Sequence, residues 1–350
     1  MTEFSGSSST RRAALAAIAS AAAAMWAPRA AIGETAQDQG GENSDEGEVQ
    51  SGWEVVKVGG RDYITGESIK NFYRFSTVSI SKNHVWFRSR TLHIKAQLGS
   101  TELFINNVKF VLSFPVTSRG NKPLISRLDL SKLIDPVLRP SYIGGSQQFD
   151  TVVLDAGHGG HDSGAKSAYG VEKKYALDLS IRTKAMLQSK GFKVHMTRVS
   201  DTFLSRTERV RVANAVPNSI FVSIHLNSTS NSTAKGIETY ALAPQGSSSI
   251  YGARSSDGKK YRGNLRDSEN IALATAVHSA VLYRLKLLDR GIKRARWDVL
   301  VGLNKPGILF ESGFITSPDD MRYMKSADWR NKMADAICAG IINYRNALKG

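Results

Sequence analysis

Apolar positions in the second half of the chain alternate between two periods. Thr151 to Leu154 is a continuous apolar run, as expected for a buried strand, whereas Leu177, Ile181 and Ala185 recur at intervals of four, which predicts a helix over 172–190. The same alternation continues to the end of the chain. Further strands are predicted at 192–197, 219–224, 236–242 and 307–310, and further helices at 205–215, 268–287, 318–325 and 328–348.

Strands that alternate with helices of this length predict an α/β domain over residues 148–350. We expect a mostly parallel, twisted sheet with helices on both faces, because parallel neighbours need a crossover connection that is usually helical. Functional residues in such folds collect at the carboxyl ends of the strands.

Residues 53–147 have a different pattern, with short runs of β-branched and aromatic residues that predict strands and hairpins. The two ends of this region echo each other. Tyr63-Ile64-Thr65 and Leu124-Ile125-Ser126 are each followed by a short amphipathic helical pattern. We therefore predict a smaller, duplicated, β-rich or α+β domain that precedes the α/β domain.

The first 52 residues read as a leader and a linker. Arg11-Arg12 precedes an Ala-rich apolar run and the small residues Ala30-Ala31, which is the layout of a signal peptide over 1–33. The paired arginines resemble a twin-arginine signal, but Ala14 stands where that signal prefers Phe, so a general secretory route stays open. The run is shorter than the roughly 20 residues that span a bilayer, so no permanent membrane anchor is expected. Residues 34–52 carry six acidic and no basic residues and are predicted to be a disordered linker.

The net charge and the cysteine content of the chain limit which binding partners and cross-links are expected. The formal net charge of +16 favours contact with polyanions such as nucleic acid, an anionic membrane surface or a carboxylate-rich wall polymer. Nucleic acid is not expected as a partner, because the chain lacks a recognition motif and has the leader of an exported protein. The single cysteine, Cys338, excludes an intramolecular disulfide.

Two histidines and a glutamate stand at predicted strand ends and at a helix start. His158 follows the first strand in the glycine-rich run Asp155-Ala156-Gly157-His158-Gly159-Gly160, Glu172 begins the next helix, and His225 ends another strand. A phosphate loop is excluded, because both the Lys-Ser/Thr ending and the dinucleotide glycine spacing are missing. A two-histidine, one-glutamate set leaves a fourth position on zinc open for water, as hydrolytic zinc sites require. Taken singly, each of these residues is more often structural than metal-binding.

From Val152 onward the chain resembles the zinc-dependent N-acetylmuramoyl-L-alanine amidases. The resemblance implies that His158, Glu172 and His225 bind Zn2+ and that Glu311 is the catalytic carboxylate. It also implies cleavage of the amide between N-acetylmuramic acid and the L-alanine of peptidoglycan stem peptides, in wall remodelling or daughter-cell separation. The matching segments are Leu154 to Gly160, Glu172, Thr197-Arg198, Arg209-Val210, Ala213-Asn214, Ser223 to Asn227, Gly236 to Tyr240, Asp289 to Lys293 and Leu309 to Ile315.

Three polar neighbours of these residues have predicted roles. Asp155 either orients His158 from outside the ligand set or satisfies loop amides. Asn227 borders the expected cleft and is a candidate for hydrogen bonding to substrate. Glu238 is expected to face solvent on its strand, although a carboxylate there could compete with Glu311 for the role of base.

Two further regions bear on partners. Some related amidases carry a helix near 245–267 that blocks zinc until an activator protein binds. This stretch lacks the apolar periodicity of such a helix, so a mobile surface loop with open access to the metal is preferred over an activator requirement. Residues 53–147 resemble the copper amine oxidase N-terminal-like domain found beside some wall hydrolases, which implies binding to wall polymer.

Two other functions compete with the amidase interpretation. The protein could bind peptidoglycan or activate other hydrolases without cutting, but the complete set of ligand and base positions argues against this. A zinc peptidase that cuts within the stem peptide is not excluded, because the choice of bond depends on the shape of the cleft. The amidase interpretation, in the periplasm or cell envelope, accounts for the largest part of the sequence.

Overall fold

The computed structural model describes residues 52–231 and 233–349. The predicted signal peptide and nearly all of the predicted linker therefore lie outside the described residues. Within the described part, no helix is both long enough and apolar enough to cross a membrane.

The strands follow one another along the chain in two groups, one before and one after residue 148. The first group is β1 (Val55–Val58), β2 (Arg61–Thr65), β3 (Thr77–Ser81), β4 (His84–Arg88), β5 (His93–Gln97), β6 (Glu102–Ile105), β7 (Val108–Val111), β8 (Thr117–Arg119) and β9 (Lys122–Ser126). The second group is β10 (Thr151–Ala156), β11 (Lys166–Ser167), β12 (Gly170–Val171), β13 (Lys193–Met196), β14 (Ser219–Asn227), β15 (Ile237–Leu242), β16 (Asp289–Ala295) and β17 (Gly307–Phe314).

The helices are α1 (Gly66–Tyr73), α2 (Glu172–Ser189), α3 (Arg206–Ala215), α4 (Asp267–Leu285), α5 (Asp298–Val301), α6 (Pro318–Met324) and α7 (Ala327–Ala347). The shorter turns are Arg127–Asp129, a π-helical turn at Leu130–Ile134, Asp135–Leu138, and 3-10 turns at Pro140–Tyr142, Ser255–Gly258 and Arg262–Arg266.

The α/β fold predicted for the second half of the chain is confirmed. Strands β13, β10, β14 and β17 are parallel neighbours, β15 is antiparallel to β17, and β16 is parallel to β15. Helices cover both faces of this sheet: α2, α4 and α7 pack on one apolar face, and α3 and α5 on the other. The carboxyl ends of β10 and β14 therefore lie side by side at one edge, where functional residues were expected.

The predicted β-rich part is present, but its larger sheet is not separate from the α/β sheet. Strand β7 pairs with β16 in parallel, with Phe110 opposite Ile292, so β3 to β7 continue the sheet to eleven strands in the order β13-β10-β14-β17-β15-β16-β7-β6-β5-β4-β3. The backbone N–H of Lys109 donates to Asp289 Oδ2 at 2.8 Å, and Phe110 and Ile292 belong to one hydrophobic core. This pairing covers the β16 edge, which would otherwise expose unpaired backbone groups.

The echo between the two ends of the β-rich part corresponds to a structural repeat. Strands β2 and β9 are antiparallel neighbours, with Ile64 opposite Ile125, in a four-stranded sheet of order β1-β2-β9-β8. Each strand runs into a helical turn capped by its last residue: the Thr65 hydroxyl accepts from the Ser68 N–H, and the Ser126 hydroxyl accepts from the Asp129 N–H.

Candidate metal centre and active site

His158, Glu172 and His225 come together at the carboxyl ends of β10 and β14 and the first residue of α2. One ligand atom from each lies within 4.8 Å of the ligand atoms of the other two. Glu172 is nearly buried, whereas both histidines are partly accessible. A compact set of two imidazoles and one carboxylate, open on one side, has the donor chemistry of a metal centre that leaves a position for water.

Glu172 lies between the two histidines and contacts both. Its Oε1 is 3.1 Å from Nε2 of His158 and 2.8 Å from Nδ1 of His225. Burial alone would raise the pKa of Glu172, but the hydrogen bonds from both histidines hold that pKa well below its usual range. Two backbone N–H groups, of Leu226 and Ala165, also donate to its carboxylate, and the start of α2 favours a negative charge. Glu172 is therefore ionised, as a metal ligand must be.

The backbone around the three side chains leaves space for the side chains of His158, Glu172 and His225 and for little else. His158 adopts a positive φ of 59°, which turns the chain sharply after β10. A Cβ atom on Gly157 would lie 2.4 Å from the His225 ring, and one on Gly164 would lie 2.6 Å from Glu172 Oε2 and from the His158 ring. Glycine at these two positions thus forms a cradle in which the three ligand side chains meet, and this cradle fits a bound metal ion.

Two buried arginines hold the loop that carries His158. Arg198 donates to the backbone carbonyls of Ala156 and Gly157, and Arg209 donates to those of Ala156 and His158. Both side chains are about 4% exposed, so the loop carbonyls are satisfied by protein rather than by solvent. The resemblance included both arginines without giving them a role. The structure assigns them to fixing the ligand loop.

Asp155 does not contact His158, contrary to one of its two predicted roles, and it accepts from side chains rather than loop amides. It is fully buried, and its oxygens accept from Arg209, Thr197 and Ser223. Burial opposes its ionisation, but Arg209 together with these hydroxyl groups lowers its pKa. Asp155 is thus a structural anchor for Arg209.

Sequence reasoning missed the residue that does orient His158. Asp162 Oδ2 lies 2.9 Å from His158 Nδ1, so Asp162 fixes the imidazole ring with Nε2 toward Glu172 and His225. Asp162 follows His158 by four residues in the same glycine-rich loop. The sequence did contain a signal for this role, namely a carboxylate on the same loop as the histidine and within reach of it.

Glu311 lies on β17 directly opposite His225 of β14, beside the proposed ligands. It is 9% exposed, and its Oε2 is buried without a hydrogen-bond partner among the described residues. Burial, with repulsion from Glu172 and Glu238, raises the pKa of Glu311 well above its usual value, and Lys293 only partly offsets this effect. An unpaired carboxyl group that readily holds a proton is suited to general acid–base work.

Glu238 is buried, so the prediction that it faces solvent is wrong. It is 2% exposed because its carboxylate is fully engaged: Arg290 and Lys293 form ion pairs with Oε1 at 2.6 and 2.8 Å, and Oε2 accepts from Tyr240 and Asn227. The pairing register of β15 with β16 shifts between Ile237 and Thr239, on either side of Glu238. With every oxygen occupied, Glu238 is a poor competitor for the role of base. Asn227 contacts it through its amide nitrogen at 3.0 Å.

The segment 245–267 contains two short 3-10 turns, Ser255–Gly258 and Arg262–Arg266, and no longer helix. It was predicted to be mobile, but it is tied down: Arg296 donates to Asp257 and to the carbonyls of Pro244 and Ser247. The exposed ring of Tyr251 packs on Trp297 at 5.3 Å, and its hydroxyl lies 2.9 Å from the hydroxyl of Tyr240. These aromatic contacts place the segment beside Glu238 and Glu311.

Comparison with known proteins agrees with this site. The model of the N-acetylmuramoyl-L-alanine amidase family matches residues 152–343, more than half of the chain. The chain is 31% identical to amidase AmiA of Escherichia coli K12, over 55% of this chain and 75% of AmiA. It is 30% identical to amidase LytC of Bacillus subtilis, over 64% of this chain and only 39% of LytC.

Two solved amidase structures are also similar to part of this chain. The catalytic domain of the amidase CwlV from Bacillus (Paenibacillus) polymyxa is 30% identical and is covered to 99% by 57% of this chain, with a TM-score of 0.48. AmiC2 of Nostoc punctiforme is 33% identical and is covered to 98%, with a TM-score of 0.47. The match to the family model, which spans more than half of the chain, leads to one conclusion: the chain belongs to the N-acetylmuramoyl-L-alanine amidase family of cell-wall hydrolases.

Proposed function

We propose that this protein is a zinc-dependent amidase that releases stem peptides from peptidoglycan by cutting the bond between N-acetylmuramic acid and L-alanine. The observation that carries the proposal is the placement of Glu311 directly opposite His225, on the strand next to the His158, Glu172 and His225 cluster. A carboxyl group without a partner, next to a cluster with metal-ligand chemistry, is the minimum machinery for hydrolysing an amide.

The catalytic roles follow from the chemistry of each group. Zinc, when bound by His158, Glu172 and His225, lowers the pKa of a coordinated water to about 7 and polarises a carbonyl oxygen. Glu311 then takes the proton from the attacking water and delivers it to the departing amine of L-alanine. Its raised pKa favours the second half of this transfer, because a carboxyl group that holds a proton near neutral pH is an effective acid.

Asn227 is proposed as a substrate contact at the edge of this site. It is half-buried at the end of β14, and its amide nitrogen is held by Glu238. Its side-chain oxygen accepts from the Ser228 N–H at 2.8 Å, so the amide group has a fixed orientation before substrate arrives. A pre-oriented amide can align a peptide group without losing conformational freedom on binding.

The proposal places the enzyme in the cell envelope, and the signal peptide predicted from the sequence of residues 1–33 supports this placement, since peptidoglycan lies outside the cytoplasm. We propose that the metal cluster is accessible without an activator protein. The segment 245–267 forms short turns beside Glu238 and does not supply a ligand to the metal cluster. We therefore propose that the protein is active on its own.

Digestion of purified peptidoglycan tests the proposal. The zinc-loaded protein, a Glu311→Gln variant and chelator-treated protein are incubated with the polymer, and the products are read by mass spectrometry. Free stem peptides that begin with L-alanine, absent from both controls, are expected. Shortened stems would move the cut into the peptide, and no product despite bound zinc and bound polymer would indicate a binding or activator-dependent protein.

A further inference from the structure

One row of side chains crosses the eleven-stranded sheet from the active site to its far edge. Cross-strand pairing puts Glu311 opposite His225 and opposite Glu238. In the β-rich part, Lys109 stands opposite Phe104, Phe104 opposite Lys95, and Lys95 opposite Trp86. We call Trp86, Lys95, Phe104 and Lys109 the aromatic–lysine row.

The junction between β16 and β7 joins these two halves on the same face. Phe110 and Ile292 are paired and point into the core, so their neighbours Lys109 and Gly291 point to the opposite face. A Cβ atom on Gly291 would lie 3.2 Å from the side chain of Lys109, which confirms that both are on this face. Lys293, two residues along β16, reaches Glu238. The face that carries Glu238 and Glu311 therefore continues into the row.

The row faces away from the main hydrophobic core and is partly accessible to solvent. Burial alternates along each strand of the row. Val85, Ile94 and Leu103, which each precede a row member on the same strand, are fully buried, whereas the row members are only partly buried. Trp86 and Phe104 belong to none of the hydrophobic clusters of the described residues. Two partly exposed aromatic rings on a sheet face, with the lysine Lys95 between them, are suited to binding a ligand.

The charges on this face fit an acidic partner. The Arg88 guanidinium lies 4.3 Å from the centre of the Trp86 ring, and Lys95 Nζ lies 5.3 Å from it. Lys109 forms an ion pair with Glu102, while the salt bridges of the described residues include none to Lys95 or Arg88. Two cations thus remain available at the far end of the row.

We propose that the aromatic–lysine row binds the peptidoglycan strand that extends out of the catalytic cleft, with sugar rings against Trp86 and Phe104 and stem carboxylates at Lys95 and Arg88. This inference rests on the proposed function. Strands lie about 4.8 Å apart, so six strand steps place Trp86 about 29 Å from Glu311. Sheet twist of about 20–25° per step makes the path a shallow spiral. A long polymer reaches the row, and a single muramoyl-peptide bound at Glu311 does not.

Retention on insoluble peptidoglycan tests the row without turnover. The full chain carrying Glu311→Gln is sedimented with purified peptidoglycan sacculi, alone and combined with Trp86→Ala, Phe104→Ala or Lys95→Glu. Each addition is expected to weaken retention about tenfold, as truncation of a central aromatic or reversal of a contacting charge does. Lys95→Glu changes a partly exposed side chain and keeps the test valid if an aromatic variant fails to fold.

Matched controls lie outside the row. Tyr142→Ala removes an exposed aromatic ring, and Lys190→Glu reverses an exposed charge at the end of α2, on the other face of the sheet. Both are expected to retain wild-type binding. Equal losses in the controls, unchanged retention in the row variants, or the same losses on a sulfated polymer without sugar–peptide chemistry would each overturn the inference.

Kinetics of the active enzyme separate this inference from the proposed function. Row variants are expected to lower the ratio of turnover on intact peptidoglycan to turnover on a single muramoyl-peptide by about tenfold. An unchanged ratio in an active enzyme overturns the row and leaves the proposed function standing. A wild-type chain that cuts neither substrate contradicts the proposed function, while the sedimentation assay still decides the row.

Discussion

Glu238 and Glu311 face each other across the antiparallel strands β15 and β17, yet only Glu238 is ion-paired. Both are nearly buried, at 2% and 9% exposure. Because Arg290 and Lys293 are both engaged by Glu238, Glu311 keeps a buried oxygen without a partner. Among the described residues, Glu238 thus binds the local cations, and Glu311 is left available for the proton transfer proposed above.

Glu238→Gln should therefore impair catalysis through Lys293. A neutral amide holds Lys293 weakly, and the ammonium group is then free to pair with Glu311 and to oppose its protonation. We expect kcat to fall about tenfold, which corresponds to an increase of about 1.4 kcal/mol in the activation barrier. KM should change little, and the metal content should stay the same.

The double variant Glu238→Gln with Lys293→Met is the control for this prediction. It removes the displaced cation and should recover most of the lost kcat. A double variant slower than Glu238→Gln alone would show that Glu238 acts by supporting the fold rather than by binding Lys293.

Asp162→Ala should weaken metal binding without unfolding the protein. Its contact with His158 Nδ1 fixes the ring that presents Nε2 to the site, and loss of such a partner typically costs 10–100-fold in metal affinity. The measurement is competition with a zinc chelator, and Asp201→Ala, an exposed carboxylate that contacts the same loop through Gly160, is the matched control. Equal affinity in Asp162→Ala and wild type would contradict the role assigned to Asp162.

Asp155→Ala should act on stability instead. Removing this carboxylate leaves Arg209 as a buried charge without its anionic partner, which typically destabilises a protein by about 3–5 kcal/mol. Urea unfolding of the metal-free protein measures the loss. A compensating Asp155→Ala/Arg209→Met variant should recover part of it, whereas a single variant as stable as wild type would contradict the assignment.

The buried side chain of Lys305 is expected to make the stability of the folded protein depend on pH. It is 5% exposed, it donates to Ser219 Oγ and to the Val216 carbonyl, and burial lowers its pKa from 10.5 to about 8. Between these two values the unfolded chain binds more protons than the folded chain, so stability should rise with pH across the window from about 8 to 10.5. The shift corresponds to about 3–4 kcal/mol. Lys305→Met should flatten this part of the stability profile, whereas Lys190→Met, an exposed counterpart, should leave it unchanged.

Much of the α/β domain was predictable because its determinants are local. The apolar run at β10, the periodicity of α2 and the capping sequence at Ser205 each depend on a few neighbouring residues, and the observed boundaries differ from the predicted ones by only a few positions. The convergence of His158, Glu172 and His225 was also predictable, because parallel strands bring their carboxyl ends to the same edge and the matching segments fixed the positions.

Contacts between residues far apart in sequence were decided only by the tertiary structure. The pairing of β7 with β16 joins residues about 180 positions apart, and no local pattern near Phe110 or Ile292 specifies a partner. The burial of Glu238 depends on Arg290 and Lys293 from another strand, so a charged residue that reads as solvent-facing became the best-paired carboxylate of the site. The sequence by itself determined the helices and strands of the α/β domain and the candidate reactive residues. Helices and strands follow from the periodicity of apolar positions, and the candidate residues follow from side-chain chemistry. The charge environment of Glu311 and the continuous sheet face beyond it could be known only from the folded structure. Both depend on which residues lie close together in space, and the sequence does not give those distances.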